Sequence, residues 1–199
     1  MSDSRTALLS AAAAEFAKNG PKGTRVQDIV KAAGVNERMI YHHFGSKDGL
    51  YRAVMQEQRM QLGASWMPMV AEAATMEPYE GMRMALGSLF DVLVARPQVA
   101  ALFVHEALGD QPLGIPEGAI PADFGPIGAL YARGQAEGIF PAAVPLSLAY
   151  MTAVSTLISA VIFHPRAATI LLPDTRFDPI KHRELLLDQV LHGMTGRSS

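Results

Sequence analysis

The sequence predicts an all-α protein with a head of three short helices, a connector helix and a C-terminal helical bundle. Apolar residues recur at the spacing i, i+3, i+4, i+7 along most of the 199 residues, which is the period of an amphipathic helix. No window shows the strict alternation, enriched in β-branched residues, that strands require. Glycine and proline separate the helical windows, and no repeat of about 20 to 50 residues is visible.

The first two predicted helices each end at a glycine. The first covers about residues 4 to 18 and stops at Asn19-Gly20-Pro21. Thr24 is predicted to cap the second helix, and Gly34 supplies the left-handed residue that ends it. The apolar faces of the two helices share one spacing: Leu9, Ala12, Ala13 and Phe16, then Val26, Ile29, Val30 and Ala33.

The third helix is short and the fourth is long. Asn36 is the predicted cap of the third helix, which ends near residue 43. Ser46 is the predicted cap of the fourth, a connector over residues 47–66. We expect the connector to stop before Pro68, because proline lacks the N–H that a helix interior needs.

Five further helical windows form the predicted bundle, at residues 78–95, 98–108, 123–137, 146–163 and 180–194. Two connections, 109–126 and 164–179, are longer than is usual inside compact domains, and we expect mobility there. The predicted domains are a head at residues 1–47 and a body at residues 48–199.

Charge is divided unevenly along the chain. Residues 1–60 carry a net charge of +3 and residues 61–199 a net charge of −5. A basic head on an acidic body fits a nucleic-acid-binding module joined to a different domain. The chain has no cysteine, which excludes disulfides, thiolate metal sites and a cysteine nucleophile. Its start lacks the apolar stretch of a signal peptide, and we expect a cytoplasmic protein.

Residues 24–44 have the pattern of a helix-turn-helix. Gly34 turns the chain, and the small residues before it let two helices approach closely. On the next helix Val35, Ile40 and Phe44 can face a shared core. The side chains left pointing outward are Glu37, Arg38, Met39, Tyr41 and His42.

An exposed short helix of this kind can enter the major groove of DNA. Arg38 can donate two hydrogen bonds to guanine O6 and N7 and is the predicted base reader. Glu37 could accept a hydrogen bond from cytosine N4, and Met39 could touch a thymine methyl group. Predicted phosphate contacts lie on the outer face and at helix starts, which favour anions: Tyr41, His42, Thr24 and Lys47.

About residues 5 to 55 resemble the DNA-binding head of the TetR/AcrR family of regulators. The shared features are the helix-two threonine Thr24, the Gly34-Val35 turn, the Tyr41-x-x-Phe44 pair and Ser46-Lys47. The tripeptide Glu37-Arg38-Met39 departs from the small residues of many members, so the operator sequence stays open. Matched by position, the resemblance places DNA contacts on Thr24, Gln27, Glu37, Arg38, Met39, Tyr41, His42 and Lys47.

The resemblance also implies an all-helical body that binds an effector and pairs two chains into a homodimer. Residues 142–163 carry no charge over 22 positions, which could also fit a membrane span. Hydroxyl residues and Pro145 favour a bundle helix instead. Two stripes are the predicted dimer interface, although an intramolecular core would show the same pattern: Thr152, Ser155, Thr156, Ser159, Leu187, Val190, Leu191 and Met194.

Five of the eleven methionines lie near Trp66, at Met67, Met69, Met76, Met82 and Met84. Soft side chains suit an adaptable apolar cavity, although methionines also fill gaps in a core. The candidate effector pocket is Trp66, Met69, Met82, Phe103, His105 and Tyr150. Gly109 stands where a helical zinc motif starting at His105 would have its second histidine. We therefore expect neither a metal nor a cofactor.

The resemblance and these residues together predict a homodimeric repressor. A small, largely apolar effector would release it from a palindromic operator in double-stranded DNA. No phosphate loop, glycine-rich dinucleotide turn or nucleophile with a base is recognisable, so we do not expect an enzyme. The alternatives are a helical enzyme or a protein-interaction module that uses the C-terminal apolar cavity, and a membrane-anchored variant. We expect no membrane association.

Overall fold

The structure, a computed structural model, describes residues 4–109, 124–171, 178 and 180–195. These ranges contain ten α-helices and no strand, which confirms the predicted all-α fold. The first five helices are α1 (Ser4–Gly23), α2 (Val26–Ala33), α3 (Arg38–Phe44), α4 (Lys47–Ala73) and α5 (Pro78–Ala95). The others are α6 (Pro97–Ala107), α7 (Gly125–Ala136), α8 (Leu146–Ile162), α9 (His164–Leu171) and α10 (Arg183–Met194).

The chain forms two compact units. The first unit, called the head unit below, is Met1–Leu62 with Pro97–Ile115, and the second, the body unit, is Gly63–Arg96 with Pro116–Ser199. The head unit extends beyond the head predicted at residues 1–47. It does so because residues of the first half of α4 and of α6 share a core with α1. Leu50 of α4 and Leu102 of α6 are both fully buried in that core.

The core of the head unit is built on the apolar face of α1. Phe16, Ile29 and Ile40 have no exposed surface and bring α1, α2 and α3 together. Full burial of a side chain of this size contributes about 1.5–3 kcal/mol. The buried members of the core are Leu8, Leu9, Ala12, Ala13, Phe16, Ile29, Ile40, Leu50, Val54, Met55 and Leu102.

A break interrupts α1 at Gly20, where the sequence predicted its end. Gly20 has φ 68° and ψ 169°, and Pro21 follows it in a last turn to Gly23. A Cβ atom on Gly20 would lie 3.0 Å from Nδ1 of His105 on α6. Glycine therefore permits both the positive φ at this break and the close approach of α6.

Two helix predictions are wrong. The connector does not stop before Pro68, since α4 runs to Ala73. Burial of Val70 and Ala73 beyond the proline offsets the lost backbone hydrogen bond. The predicted connection 164–179 contains α9, with Pro165 in its first turn, where proline costs no hydrogen bond. Most of the predicted connection 109–126 lies outside the described residues.

The body unit packs α7, α8 and α10 against α5. Two arginines join α5 to α10: Arg83 Nη1 donates to Asp188 Oδ1 at 2.5 Å, and Arg183 Nε donates to Asp91 Oδ1 at 2.7 Å. Glu184 accepts hydrogen bonds from Arg83 and from Arg183, and these hold the pKa of its carboxyl below the usual range. The ion pairs thus fix α10 along α5.

Among the described residues, no single helix is both long and apolar enough to cross a membrane. The uncharged stretch considered above forms α8, a helix of 17 residues. The consecutive helices α5 and α6 reach the length and apolar composition of a membrane span only when they are taken together. A break in the helical structure separates them.

Candidate nucleic-acid interface

Side-chain and glycine caps define the ends of α2 and α3. Gly34 has φ 67° and ψ 31°, and its N–H donates to the carbonyl of Val30, as predicted for the residue that ends α2. The Asn36 side chain accepts a hydrogen bond from the backbone N–H of Arg38 at 2.9 Å. Ser46 Oγ accepts one from the backbone N–H of Gly49 at 2.9 Å. The predicted capping roles of Asn36 and Ser46 are therefore confirmed.

The inner face of α3 packs on the head core. Ile40 is fully buried, and Val35 and Phe44 are half-buried against the same core, as predicted. Met39 was predicted to point outward, but it is half-buried and packs on that core too. The reason is its place beside Ile40, at the edge of the buried face.

The outer face of α3 carries polar and aromatic side chains. Arg38 and His42 are exposed, and 54% of the surface of Tyr41 is accessible. Glu37 is half-buried and accepts a hydrogen bond from the Tyr41 hydroxyl at 3.3 Å. Gln27, in the first turn of α2, is also exposed. This surface presents hydrogen-bond donors and acceptors of the kind that contact base edges and phosphates.

Thr24 has a different place from the one predicted. Only 3% of its surface is exposed, and its hydroxyl donates to the Gly20 carbonyl at 2.7 Å. Arg25 occupies the N-cap position of α2, without a side-chain cap bond. The predicted cap at Thr24 is wrong, because the hydroxyl and the backbone N–H of Thr24 both bond the carbonyl left by the break at Gly20. Buried in this way, Thr24 does not present its hydroxyl to a phosphate.

Two cations lie at the helix starts around this surface. Lys47 Nζ donates to the Thr24 carbonyl at 3.1 Å, which ties the start of α4 to the α1–α2 connection. An ammonium group has three N–H donors, and this bond uses one of them. Arg25 is exposed beside the first turn of α2. Arg25 was not among the predicted contacts, although an arginine directly before a predicted helix start indicates a possible phosphate contact.

The residues predicted to line an effector pocket are divided between the two units. Phe103 packs against the head core, and His105 lies against Gly20. Both residues lie on α6, which belongs to the head unit, and their role in an effector pocket stays a prediction. Met82 is fully buried in the body unit, and Met69 is half-buried.

Three aromatic rings cluster in the body unit. The Trp66 and Tyr150 ring centroids are 6.3 Å apart, and those of Phe124 and Tyr150 are 5.8 Å apart. Trp66 Nε1 donates to the carbonyl of Ala85 at 2.8 Å. Burial raises the pKa of Tyr150 to about 12, so its phenol carries its proton at neutral pH. The cluster combines apolar area with a hydroxyl that can donate a hydrogen bond.

The predicted dimer residues also divide into two groups. On α10, Leu187 and Leu191 have no exposed surface, and Val190 and Met194 are buried. These four pack in the core of a single chain, and their role as dimer contacts stays a prediction. On α8, Thr152 and Ser155 are exposed and Thr156 and Ser159 half-buried. Thr156 Oγ1 donates to the Thr152 carbonyl at 2.9 Å within the helix.

Metal ligands do not cluster in the part of the chain that the structure describes. No group of three His, Asp or Glu side chains there is arranged to hold an ion.

Two helices joined by a glycine turn, with the second exposed on its outer face, define a helix-turn-helix domain. Residues 8–54 match the family described as bacterial regulatory proteins, tetR family. The N-terminal segment of the chain is thus similar to this family.

Named relatives resemble part of the chain. The transcriptional repressor NicS of Pseudomonas putida is 29% identical over 104 residues, which cover 52% of this chain and 48% of NicS. The transcriptional regulator RutR of Escherichia coli is 32% identical over 114 residues, which cover 57% of this chain and 52% of RutR. The matched segment thus spans about half the length of these curated relatives.

Solved structures resemble the fold over a longer stretch. A TetR family transcription regulator from Marinobacter aquaeolei has a TM-score of 0.72 and 20% sequence identity. The match covers 98% of this chain and 96% of that one. At this identity the likeness shows a shared fold.

Proposed function

We propose that this chain is a sequence-specific DNA-binding transcription regulator that places α3 in the major groove. The observation that carries the proposal is the exposed outer face of α3, with Arg38 in its first turn, on a segment that matches the TetR family. Arg38 reads a guanine through a bidentate hydrogen bond. Gln27, Glu37 and the exposed part of Met39 are further proposed DNA contacts. Arg25, Tyr41, His42 and Lys47 contact phosphates and fix the register.

Substitution of Arg38 tests this assignment. Arg38→Ala should cost about 1–3 kcal/mol in binding to a duplex enriched by the wild-type protein from a random pool, and should relax the preference at one base pair. Lys47→Ala should weaken binding to enriched and random duplexes alike, because a phosphate contact carries no base information. Fluorescence anisotropy at fixed salt measures both.

Lys18→Ala is the matched control, since Lys18 is an exposed cation on α1 that is not among the proposed DNA contacts. It should leave the affinity ratio of the two duplexes unchanged. If Arg38→Ala lowered the affinity for both duplexes equally, the base-reading role would be refuted.

We infer that two copies pair through the exposed side of α8, together with the neighbouring part of α10. Leu148 and Met151 on α8 and Leu185 on α10 are exposed apolar side chains, and Thr152 and Ser155 lie along the same exposed side. A twofold pair would place two α3 helices about 34 Å apart, one turn of DNA. This spacing implies a palindromic operator.

We further propose that a small, largely apolar effector binds the body unit near Trp66, Met69, Met82 and Tyr150 and releases the DNA. Aromatic rings, methionines and one hydroxyl donor are the usual lining of such a site. Release requires that the effector bind the non-DNA conformation more tightly, and about 1.4 kcal/mol of preference changes the operator affinity tenfold. The sign of regulation proposed is repression, as in the name of NicS.

A further inference from the structure

The end of α3 is tied to the beginning of α1. Ser4 Oγ and His43 Nε2 are 2.9 Å apart, a part-buried hydrogen bond between residues 39 positions apart in the chain. The guanidinium of the next residue, Arg5, lies over the Phe44 ring at 5.7 Å from its centroid. Two consecutive residues of α1 therefore contact two consecutive residues of α3.

These contacts add to the apolar packing of Met39, Ile40 and Phe44 on the head core. The helix α3 has seven residues, of which only Ile40 is fully buried. A helix this short is not stable by itself, so its orientation depends on its tertiary contacts. Apolar packing is not directional, whereas a hydrogen bond fixes the relative positions of the two atoms that it joins. The bond at His43 therefore opposes rotation of α3 about its axis.

His43 and its neighbour His42 differ in their surroundings. His42 is exposed, whereas His43 is half-buried, and the two ring centroids are 4.9 Å apart. On its other side the His43 ring lies 5.9 Å from that of Phe44. His43 thus stands between a proposed phosphate contact and a residue of the core, with its Nε2 committed to Ser4.

We infer that the Ser4–His43 hydrogen bond sets the rotation of α3 about its own axis and thereby the aim of Arg38 at a base. Ser4 and His43 are then positioning residues for base recognition and are not themselves DNA contacts. The inference rests on the proposed DNA binding and adds to it a determinant of specificity outside the contact surface. A bidentate contact needs its geometry held closely, which is why a distant bond can affect it.

The test measures affinity for two probes: the duplex most enriched from a random pool by the wild-type protein, and a duplex of the same composition in scrambled order. His43→Leu and Ser4→Ala should each lower the ratio of the two affinities about fivefold, the worth of one hydrogen bond. The double variant should lose no more than either single variant, because both remove the same bond. His43→Gln should keep most of the ratio, since its amide N–H can reach Ser4 Oγ.

A second readout separates positioning from direct contact. The affinity of these variants for the scrambled duplex, and the slope of log affinity against log salt, should stay at the wild-type values. His42→Leu is the matched control and should weaken binding to both duplexes. Urea unfolding of each variant confirms that the folded head is what is compared.

Each result decides the matter. Equal losses on both duplexes, a changed salt slope, or additive losses in the double variant would overturn the inference and make His43 a direct contact or a general stabiliser. Unchanged ratios in Ser4→Ala and His43→Leu would also overturn it. A wild-type protein without any preference between the duplexes would instead refute the proposed function.

Discussion

Arg38 and Tyr41 are exposed because their neighbours on α3 are not. Ile40 is sealed in the head core and Phe44 is half-buried there, so residues on the opposite side of the helix face outward. The Asn36 cap holds the backbone N–H of Arg38 at the start of the helix. A capped first turn with an arginine is a geometry that proteins use to read base edges.

The chain has a single tryptophan, Trp66, and this allows the effector proposal to be tested at one residue. An apolar compound that binds near Trp66 and Tyr150 should change the tryptophan emission, because the compound would change which groups surround the indole ring. The same compound should weaken binding to the enriched duplex by tenfold or more, about 1.4 kcal/mol. Fluorescence titration and anisotropy measure the two effects.

The matched control is Met60→Ala, which changes an exposed methionine of the head unit and should leave both effects in place. Met82→Ala should weaken the effect on emission. Compounds that alter the emission of Trp66 but leave the DNA affinity at its starting value would contradict the effector proposal.

Residue types and spacing predicted the recognition surface better than the buried contacts. Val35, Ile40 and Phe44 were assigned to the inner face correctly, since a helical period needs no knowledge of the partner. Thr24 was wrongly predicted to cap α2. Its hydroxyl donates instead to the Gly20 carbonyl, which the break in α1 leaves free, and no local sequence pattern indicates that partner.

At the scale of elements, the turn between α2 and α3 depends on Gly34. Its φ of 67° lies in the left-handed region, where a side chain is strained. Gly34→Ala should lower the free energy of unfolding by about 1 kcal/mol, because the added Cβ opposes that backbone conformation. Urea denaturation followed by circular dichroism measures the change.

Gly63 on α4 provides a control of opposite sign. It lies inside the helix, and a Cβ there would meet open space. Gly63→Ala should raise the free energy of unfolding by about 0.5–1 kcal/mol, since alanine favours the helix more than glycine does. A stability of Gly34→Ala equal to or above that of the wild type would refute the assigned role of this turn.

Elements were predictable where a cap or a glycine marks their ends. The starts of α3 and α4 follow Asn36 and Ser46, whose hydrogen bonds the sequence predicts. The far end of α4 and the whole of α9 were missed. By local sequence rules, Pro68 and Pro165 each indicate the end of a helix. Burial of residues beyond Pro68 stabilises the rest of α4, and Pro165 lies in the first turn of α9, where proline is tolerated.

At the scale of the whole molecule, the apolar stripe of α10 shows the limit of pattern analysis. Leu187 and Leu191 were predicted to pair two chains, yet both are buried within one chain against the body core. A stripe reveals that a helix face is covered, but the covering partner depends on tertiary packing. The exposed side of α8 is the surface on which the dimer proposal now rests.

Met151→Glu tests that surface, since 58% of the Met151 surface is exposed on α8. A buried, unpaired carboxylate at a subunit interface is strongly unfavourable, so the variant should be monomeric where the wild type is dimeric. Sedimentation velocity measures the oligomeric state. Met60→Glu, at a methionine with 61% exposure on the head unit, should remain a dimer. A dimer in both variants would contradict the assignment of the interface to α8.

The central claim is that α3 reads DNA in two symmetric copies. Selection of bound fragments from random duplex DNA, followed by sequencing, tests it most directly. The account predicts one enriched motif with twofold symmetry, its half-site centres about 10 base pairs apart or a multiple of that spacing, and each half-site containing a guanine whose selection disappears in Arg38→Ala. Enrichment of no motif, or of an asymmetric one unaffected by Arg38→Ala, would contradict it.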